Sequence, residues 1–207
     1  MHIRLAVPTD GPRLAEIYQP AVVGSTISVE LTPPTGTEMA NRIAETLAIR
    51  PWIVAETDRV IGFAYSGPHR VRPGYAWSAE ATIYTDMAAP RSGTGRALYT
   101  SLFAILTLQG YQNVYAGIIL PNPASAAFHV AMGFAPVAEY PNVAFKHDQW
   151  LSSRWYYRRL GSHPIPPAPI VPLPELVGTP AFRRALASGT TPNDVDSLSP
   201  STDSAPL

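Results

Sequence analysis

Ala79-Glu80-Ala81-Thr82-Ile83-Tyr84-Thr85, followed shortly by Pro90-Arg91-Ser92-Gly93-Thr94-Gly95-Arg96-Ala97-Leu98-Tyr99, is the stretch that decides the fold. It reads as a strand, a short loop rich in small residues, and the start of a helix. Such a loop leaves backbone N–H groups unpaired and aims them at one spot beside a helix N-terminus. Orphan donors and the helix dipole favour negative charge there, phosphate oxygens above all. Gly93 and Gly95 let the backbone approach an anion with no Cβ in the way. Glu80 stands upstream on the strand that feeds the loop, so a phosphate cradle and a candidate base belong to one local unit. The same G-x-G at a strand–helix junction also reads as a tight turn into a core helix, and these residues alone leave both readings open.

The spacing is not the G-x-x-x-x-G-K-[ST] of a P-loop, and Leu98 breaks the dinucleotide pattern G-x-G-x-x-G. What remains is a loop that grips a pyrophosphate without a metal-binding hydroxyl after a lysine. Coenzyme A is the common ligand that fits it.

Composition narrows the class. The 207 residues suit one domain plus an appendage. Formal net charge is zero and no basic run stands out, so the electrostatic footprint of a nucleic-acid binder is missing. No apolar stretch approaches the roughly 18 residues of a membrane span, and the N-terminus has no signal-peptide layout. The chain has no cysteine, which excludes disulfides and a cysteine-acyl intermediate and makes a cytoplasmic location the expectation. No His/Cys/Asp cluster has metal-ligand spacing, so no metal is expected.

Around the deciding stretch the order is strand, helices, strands, helix, strand, helix, strands. A short strand covers residues 2–5, and Asp10 is positioned to cap a helix to about residue 22, with Leu14, Ile17 and Tyr18 on one face. A second helix spans about 37–49. Residues 52–56 and 60–65 form a hairpin around Thr57-Asp58-Arg59. The next strand is 75–85, and the helix over 95–108 buries Leu98, Leu102, Ile105 and Leu106. A strand at 113–119, a helix at 123–132 and two strands within 137–157 complete a mixed, mostly antiparallel α/β sheet flanked by helices. Residues 1–160 form the domain. Residues 161–207 hold 10 of the 23 prolines and one aromatic, Phe182, a composition that buries too little apolar surface to offset its ordering entropy. Residues 164–174 are expected to run extended along the domain, 180–187 could form a short helix, and the last twenty residues are expected to be disordered.

Four motifs in register resemble the GNAT acetyltransferases, and within them the phosphinothricin N-acetyltransferases. The acetyl-CoA loop [Q/R]-x-x-G-x-[G/A] falls on Pro90-Arg91-Ser92-Gly93-Thr94-Gly95, with Pro90 departing from the pattern's glutamine or arginine. Asn122-Pro123-Ala124-Ser125 and then Phe128-His129-Val130-Ala131-Met132-Gly133-Phe134 match the family's N-x-x-S helix ending in G-F. Gly67 to Glu80 resembles the subfamily's substrate segment, and Phe145-Lys146-His147-Asp148-Gln149-Trp150 its F-K-H-x-x-W strand. The match runs from about residue 2 to about residue 175.

The resemblance implies an acetyl-CoA-dependent N-acetyltransferase working by direct transfer in a ternary complex, and a homodimer. Attack on a thioester requires a neutral amine, so a base must take a proton directly or through water. Glu80 is the candidate. On a regular strand it shares a face with Ser78, Thr82 and Tyr84, while Trp77, Ala79, Ala81 and Ile83 face the other way; a solvent-facing glutamate is the alternative. The backbone of Ile83, Tyr84 and Thr85 lies where the family pairs a strand with the pantetheine arm and polarises the carbonyl. Arg91, Ser92, Gly93, Thr94, Gly95 and Arg96 would cradle the pyrophosphate. Asn122 and Ser125 would bind the coenzyme, although Asn122 also fits a simple helix cap. His129 stands where relatives place the acid for the leaving thiolate, and reads equally as acid, base or a buried structural histidine.

Arg70, Arg72 and Tyr75 are the expected clamp for an acceptor with an anionic group. Val29 replaces a phenylalanine that helps wall the family's acceptor pocket. Lys146 and His147 could reach the same pocket or remain at a surface. The expected acceptor is a phosphinothricin-type amino acid. The alternatives are another amine, such as methionine sulfoximine, methionine sulfone or an antibiotic amine, and a catalytically silent acyl-CoA-binding module whose tail docks a partner.

Overall fold

The computed structural model describes residues 1–89 and 93–190. Thirteen helices and strands are found there: β1 (His2–Leu5), α1 (Gly11–Val23), α2 (Gly36–Leu47), β2 (Trp52–Glu56), β3 (Val60–Pro68), β4 (Ser78–Thr85), α3 (Thr94–Gln109), β5 (Asn113–Ile119), α4 (Pro123–Ala131), β6 (Ala135–Lys146), β7 (Gln149–Arg159), α5 (Leu173–Leu176) and α6 (Pro180–Ala187). One sheet runs in the order β1-β2-β3-β4-β5-β7-β6. Every neighbouring pair is antiparallel except β4 and β5, which run parallel.

Helices cover both faces of the sheet centre, which is why β2 reads as a continuous apolar run. Ile53 and Ala55 face a core built on α3, where Leu98, Leu102, Ile105 and Leu106 are fully buried. Trp52 and Val54 face the other way, onto Leu14, Ile17 and Tyr18 of α1 and Met39 and Ile43 of α2. The period of two along the strand thus feeds two separate cores. Local signals fix the helix ends: Thr35 and Glu38 close a capping box on α2, and Gly110 ends α3 in the left-handed region at φ 99°.

Several boundaries differ from the sequence expectation. β4 begins at Ser78, because Pro73–Tyr75 turns as a single 3-10 helix, so Tyr75 is not on the strand. β3 runs on to Pro68, paired with Ala79. Asp10 sits at the N-cap of α1 but makes no side-chain cap bond. Its carboxylate accepts instead from both Arg4 guanidinium nitrogens and from the Val7 N–H. The short helix at Pro180–Ala187 forms.

The proline-rich segment also packs more than its composition suggests. Leu173 and Phe182 are buried in the α3 core. Ser101 Oγ of α3 donates to Leu186 O and accepts from Gly189 N–H, and a Cβ at Gly189 would collide with the Ala97 carbonyl. Ile170, Leu176, Ala185 and Leu186 pack around these two buried anchors on the same core. The expectation for the last twenty residues falls mostly on 191–207, outside the described residues.

Candidate active site

β4 and β5 pair over only three positions, Ser78↔Asn113, Ala79↔Val114 and Glu80↔Tyr115. Beyond Glu80 the strands diverge, so among the described residues the backbone of 81–85 has no strand partner on that side. A cavity of about 550 Å³ fills the fork, with Ala81, Thr82, Ile83 and Tyr84 on one wall and Ala116, Gly117, Ile118 and Ile119 on the other. Unpaired strand backbone is costly unless something else takes up its hydrogen bonds. An extended amide-bearing chain, such as a pantetheine arm, is suited to that edge.

Glu80 marks the point of the fork and lines the cavity. Ala79 and Ala81 are buried in the α3 core, so the alternation read from sequence holds and Glu80 faces away from it. Its Oε1 lies 3.1 Å from His69 Nδ1 and 3.6 Å from Arg70 Nη1. Burial pushes the carboxyl up to about 7, with Arg70 opposing the shift. A carboxylate poised near neutrality in a cleft is suited to proton transfer.

Across the cavity, α4 brings Asn122, Ser125 and His129 to the lining. Asn122 caps the helix by accepting from the Ser125 N–H at 3.1 Å. His129 is buried, and burial lowers its basicity. Its Nδ1 lies 2.8 Å from Ser125 O, a pure acceptor, so Nδ1 carries the proton. Nε2 then accepts from the Tyr99 hydroxyl at 3.1 Å. A neutral imidazole and a buried phenol thus form a single proton-carrying pair at the cavity wall.

The acceptor end is lined by Ser28, Val29, Glu30, Tyr65, Tyr140 and Trp155. Val29 is half-exposed on this rim. Glu30 is held by Arg42 and by the Tyr18 hydroxyl, and the buried Lys146 ammonium donates to Ser28 O at 2.6 Å. Lys146 therefore braces the acceptor wall, whereas His147 occupies the β6–β7 turn with φ 49°. The expected clamp is only partly assembled. Arg70 reaches Glu80, lies over the Trp155 ring at 5.8 Å and donates to Tyr140. Arg72 and Tyr75 are exposed and do not line the cavity, Tyr75 lying 6.2 Å from the His69 ring.

Of the loop residues, Arg91 and Ser92 lie outside the described residues. Gly93 takes φ 78° at the N-cap of α3, a conformation that favours glycine. At Gly95 a Cβ would stand 3.2 Å from the Phe128 ring, close enough that the ring would have to shift by a few tenths of an ångström. Thr94 is buried, and Arg96 is exposed beside an open hollow shared with Arg158 and Arg159. Sequence reasoning missed Tyr99, His69, Glu30, Tyr65, Tyr140 and Trp155. Tyr99 sits within an apolar helix stripe, Tyr65 and His69 come from β3 and its exit, and Glu30, Tyr140 and Trp155 are separated from Glu80 by long stretches of chain, so no local spacing announces them.

Residues 3–155 match the acetyltransferase (GNAT) domain family. The phosphinothricin N-acetyltransferase of Streptomyces viridochromogenes is 31% identical over 177 residues, covering 85% of this chain and 96% of that protein. The L-methionine sulfoximine/L-methionine sulfone acetyltransferase of Salmonella typhimurium is 31% identical over 81% of this chain and 99% of its own length. A phosphinothricin acetyltransferase from Sinorhizobium meliloti, solved in complex with AcCoA, superposes with a TM-score of 0.75 at 32% identity, over 83% of this chain and 95% of that one. A parallel pair that forks beside a half-buried glutamate, on a domain matched from residue 3 to 155, places this chain in the GNAT family as an N-acetyltransferase.

Proposed function

We propose that this enzyme transfers the acetyl group of acetyl-CoA to the amino group of a small, phosphinothricin-type amino acid, directly and within a ternary complex. The observation that carries the reading is the fork itself: β4 and β5 part at Glu80, and the cavity between them has Glu80 at its point and the Tyr99–His129 pair on its wall. When bound, acetyl-CoA supplies an activated acetyl thioester. The β4 edge over Ile83, Tyr84 and Thr85 and the α4 residues Asn122 and Ser125 would hold its arm, and residues 91–96 its pyrophosphate. Glu80 takes a proton from the acceptor ammonium, leaving the amine lone pair free to attack. A backbone N–H of the β4 edge polarises the carbonyl as negative charge develops on its oxygen. As the tetrahedral adduct collapses and the C–S bond breaks, the second proton of the attacking nitrogen passes to the departing thiolate by way of the Tyr99–His129 pair, which returns to its starting protonation. The chain has no cysteine to carry the acetyl group, which supports direct transfer.

Arg70 is the part of the clamp that contacts the cavity lining, at Glu80, Tyr140 and Trp155, and we assign it to the acceptor's anionic group; Arg72 and Tyr75 would join only by movement of their exposed loop. The small Val29 side chain on the rim favours a second acceptor class, the methionine sulfoximine and sulfone type. Homodimeric assembly in the cytoplasm belongs to the same reading. Phe145 and Trp150 are exposed and in ring contact on the β6–β7 ribbon at one edge of the sheet, a patch suited to a second copy.

The test is thiol release from acetyl-CoA against L-phosphinothricin, methionine sulfoximine, methionine sulfone, common amino acids and an arylamine. Turnover of phosphinothricin that is lost in Glu80→Gln is the expected result. Turnover of methionine sulfoximine alone would move the assignment to the second class, and acetyl-CoA binding with no turnover of any amine would contradict both.

A further inference from the structure

His69 takes part in none of the steps above, yet it is the closest partner of Glu80. It follows β3 directly, and its backbone N–H donates to Ser78 O, so the β3–β4 ladder holds it beside the start of β4. Its ring lies flat on Tyr115 at 4.2 Å and 14°. Trp155 at 5.7 Å and Tyr75 at 6.2 Å stand edge-on to it. Tyr115 is also the register partner of Glu80 across the parallel pair. The platform that orients the imidazole is therefore built on the same cross-strand position as the base.

We propose that His69 is a positioning residue for Glu80: its Nδ1–H donates to Oε1, fixes the carboxylate in one rotamer and leaves Oε2 for the acceptor's proton. This rests on the reading of Glu80 as the base. The groups facing the pair are Arg70 from the same loop, Tyr75 from the 3-10 turn, Tyr115 of β5, and Tyr140 of β6, which Arg70 contacts. Tyr157 of β7 packs on Tyr115. Arg70 is the one cation among them. Burial keeps the imidazole neutral, pushing His69 below its ordinary value with Arg70 acting in the same direction. A neutral imidazole beside an ionised carboxylate must present Nδ1–H, because two lone pairs cannot share the contact. The same burial favours the protonated carboxyl and Arg70 opposes it; a fixed donor at Oε1 adds to Arg70 in favouring the form that can accept a proton.

Two variants separate positioning from packing. His69→Phe keeps a flat ring on Tyr115 and removes the donor, while His69→Asn keeps a donor near the Nδ1 position and gives up most of the stacking. In His69→Phe the acid limb of kcat/KM for the acetylated amine is expected to move to higher pH by about one unit, a loss of about tenfold on that limb. His69→Asn is expected to return the limb to its wild-type position. A limb that does not move in His69→Phe, in protein of unchanged thermal stability, overturns the proposal.

A second readout needs no turnover. Imidazole nitrogen shifts of histidine-labelled protein are expected to show His69 with Nδ1 protonated at pH 8, and an inflection near pH 7 that follows ionisation of Glu80 and is absent in Glu80→Gln. His69 shifts that show no such inflection, or the same one in Glu80→Gln, overturn the pairing. If no amine is acetylated, these shifts still decide on His69 while the functional reading fails. If Glu80-dependent turnover persists with an unmoved limb, His69 alone is contradicted.

Discussion

Glu80 is a carboxylate placed where ionisation is unfavourable, and that has consequences for both rate and stability. Its ordinary value of 4.5 is raised to about 7 by burial. Between these values the folded chain holds a proton that the unfolded chain has released, so stability falls as pH rises through the window 4.5 to 7. Glu80→Gln removes that penalty. It is expected to unfold at a higher temperature than wild type at pH 8 and at nearly the same temperature at pH 4, read by circular dichroism melts. The same substitution should lower kcat/KM by about 10²–10⁴, the usual worth of a positioned general base. Tyr99→Phe makes a different prediction. It leaves His129 Nε2 without its donor in a buried wall, and kcat should fall by about tenfold or more while KM for the amine holds; equal kcat in steady-state assays would remove Tyr99 from the proton path. Glu80, His129 and Asn122 were all legible as residues, because motif spacing marks them. Arg70 was legible as a clamp residue, but its pairing with Glu80 was not. Nor were His69, which lies on the neighbouring strand's exit, and Tyr99, which differs from its core neighbours only by one hydroxyl.

Local chemistry carried most elements, and long-range packing decided the rest. β5 and α6 occupy the ranges expected from their patterns, Asn113–Ile119 and Pro180–Ala187. Asp10 has the right type and place for a cap, but Arg4, six residues earlier, offers a stronger charge-assisted pair than a backbone N–H does. The fork between β4 and β5 could not be read at all, because it consists of hydrogen bonds that are not made. Residues 161–190 pack more apolar surface than their composition suggests, for a related reason. Composition reports how much apolar surface a segment carries and not how well a distant helix receives it. Leu173 and Phe182 are both buried, 1% and 4% exposed. Phe182→Ala is expected to destabilise the protein by about 3–5 kcal/mol, less if α6 collapses onto α3. Urea unfolding at pH 7 would measure it, and a change below about 0.5 kcal/mol would show that α6 contributes little to the fold.

At the scale of the whole molecule, two helical layers hold a seven-stranded sheet whose one parallel junction is left open, and the candidate site lies in that junction. The far edge of the sheet presents Phe145 and Trp150, 52% and 64% exposed and 5.4 Å apart. Phe145→Glu is expected to convert a dimer to a monomer in analytical ultracentrifugation; a wild-type chain that sediments as a monomer at tens of micromolar would contradict the assembly. The central claim, that amines are acetylated in the fork with Glu80 as base, is tested most directly by the pH dependence of kcat/KM for L-phosphinothricin in wild type and Glu80→Gln at saturating acetyl-CoA. A wild-type rate that rises with one ionisation near 7, and a variant at least about a hundredfold slower that lacks that ionisation, is the predicted result. A variant within tenfold of wild type, with the same pH profile, would contradict it.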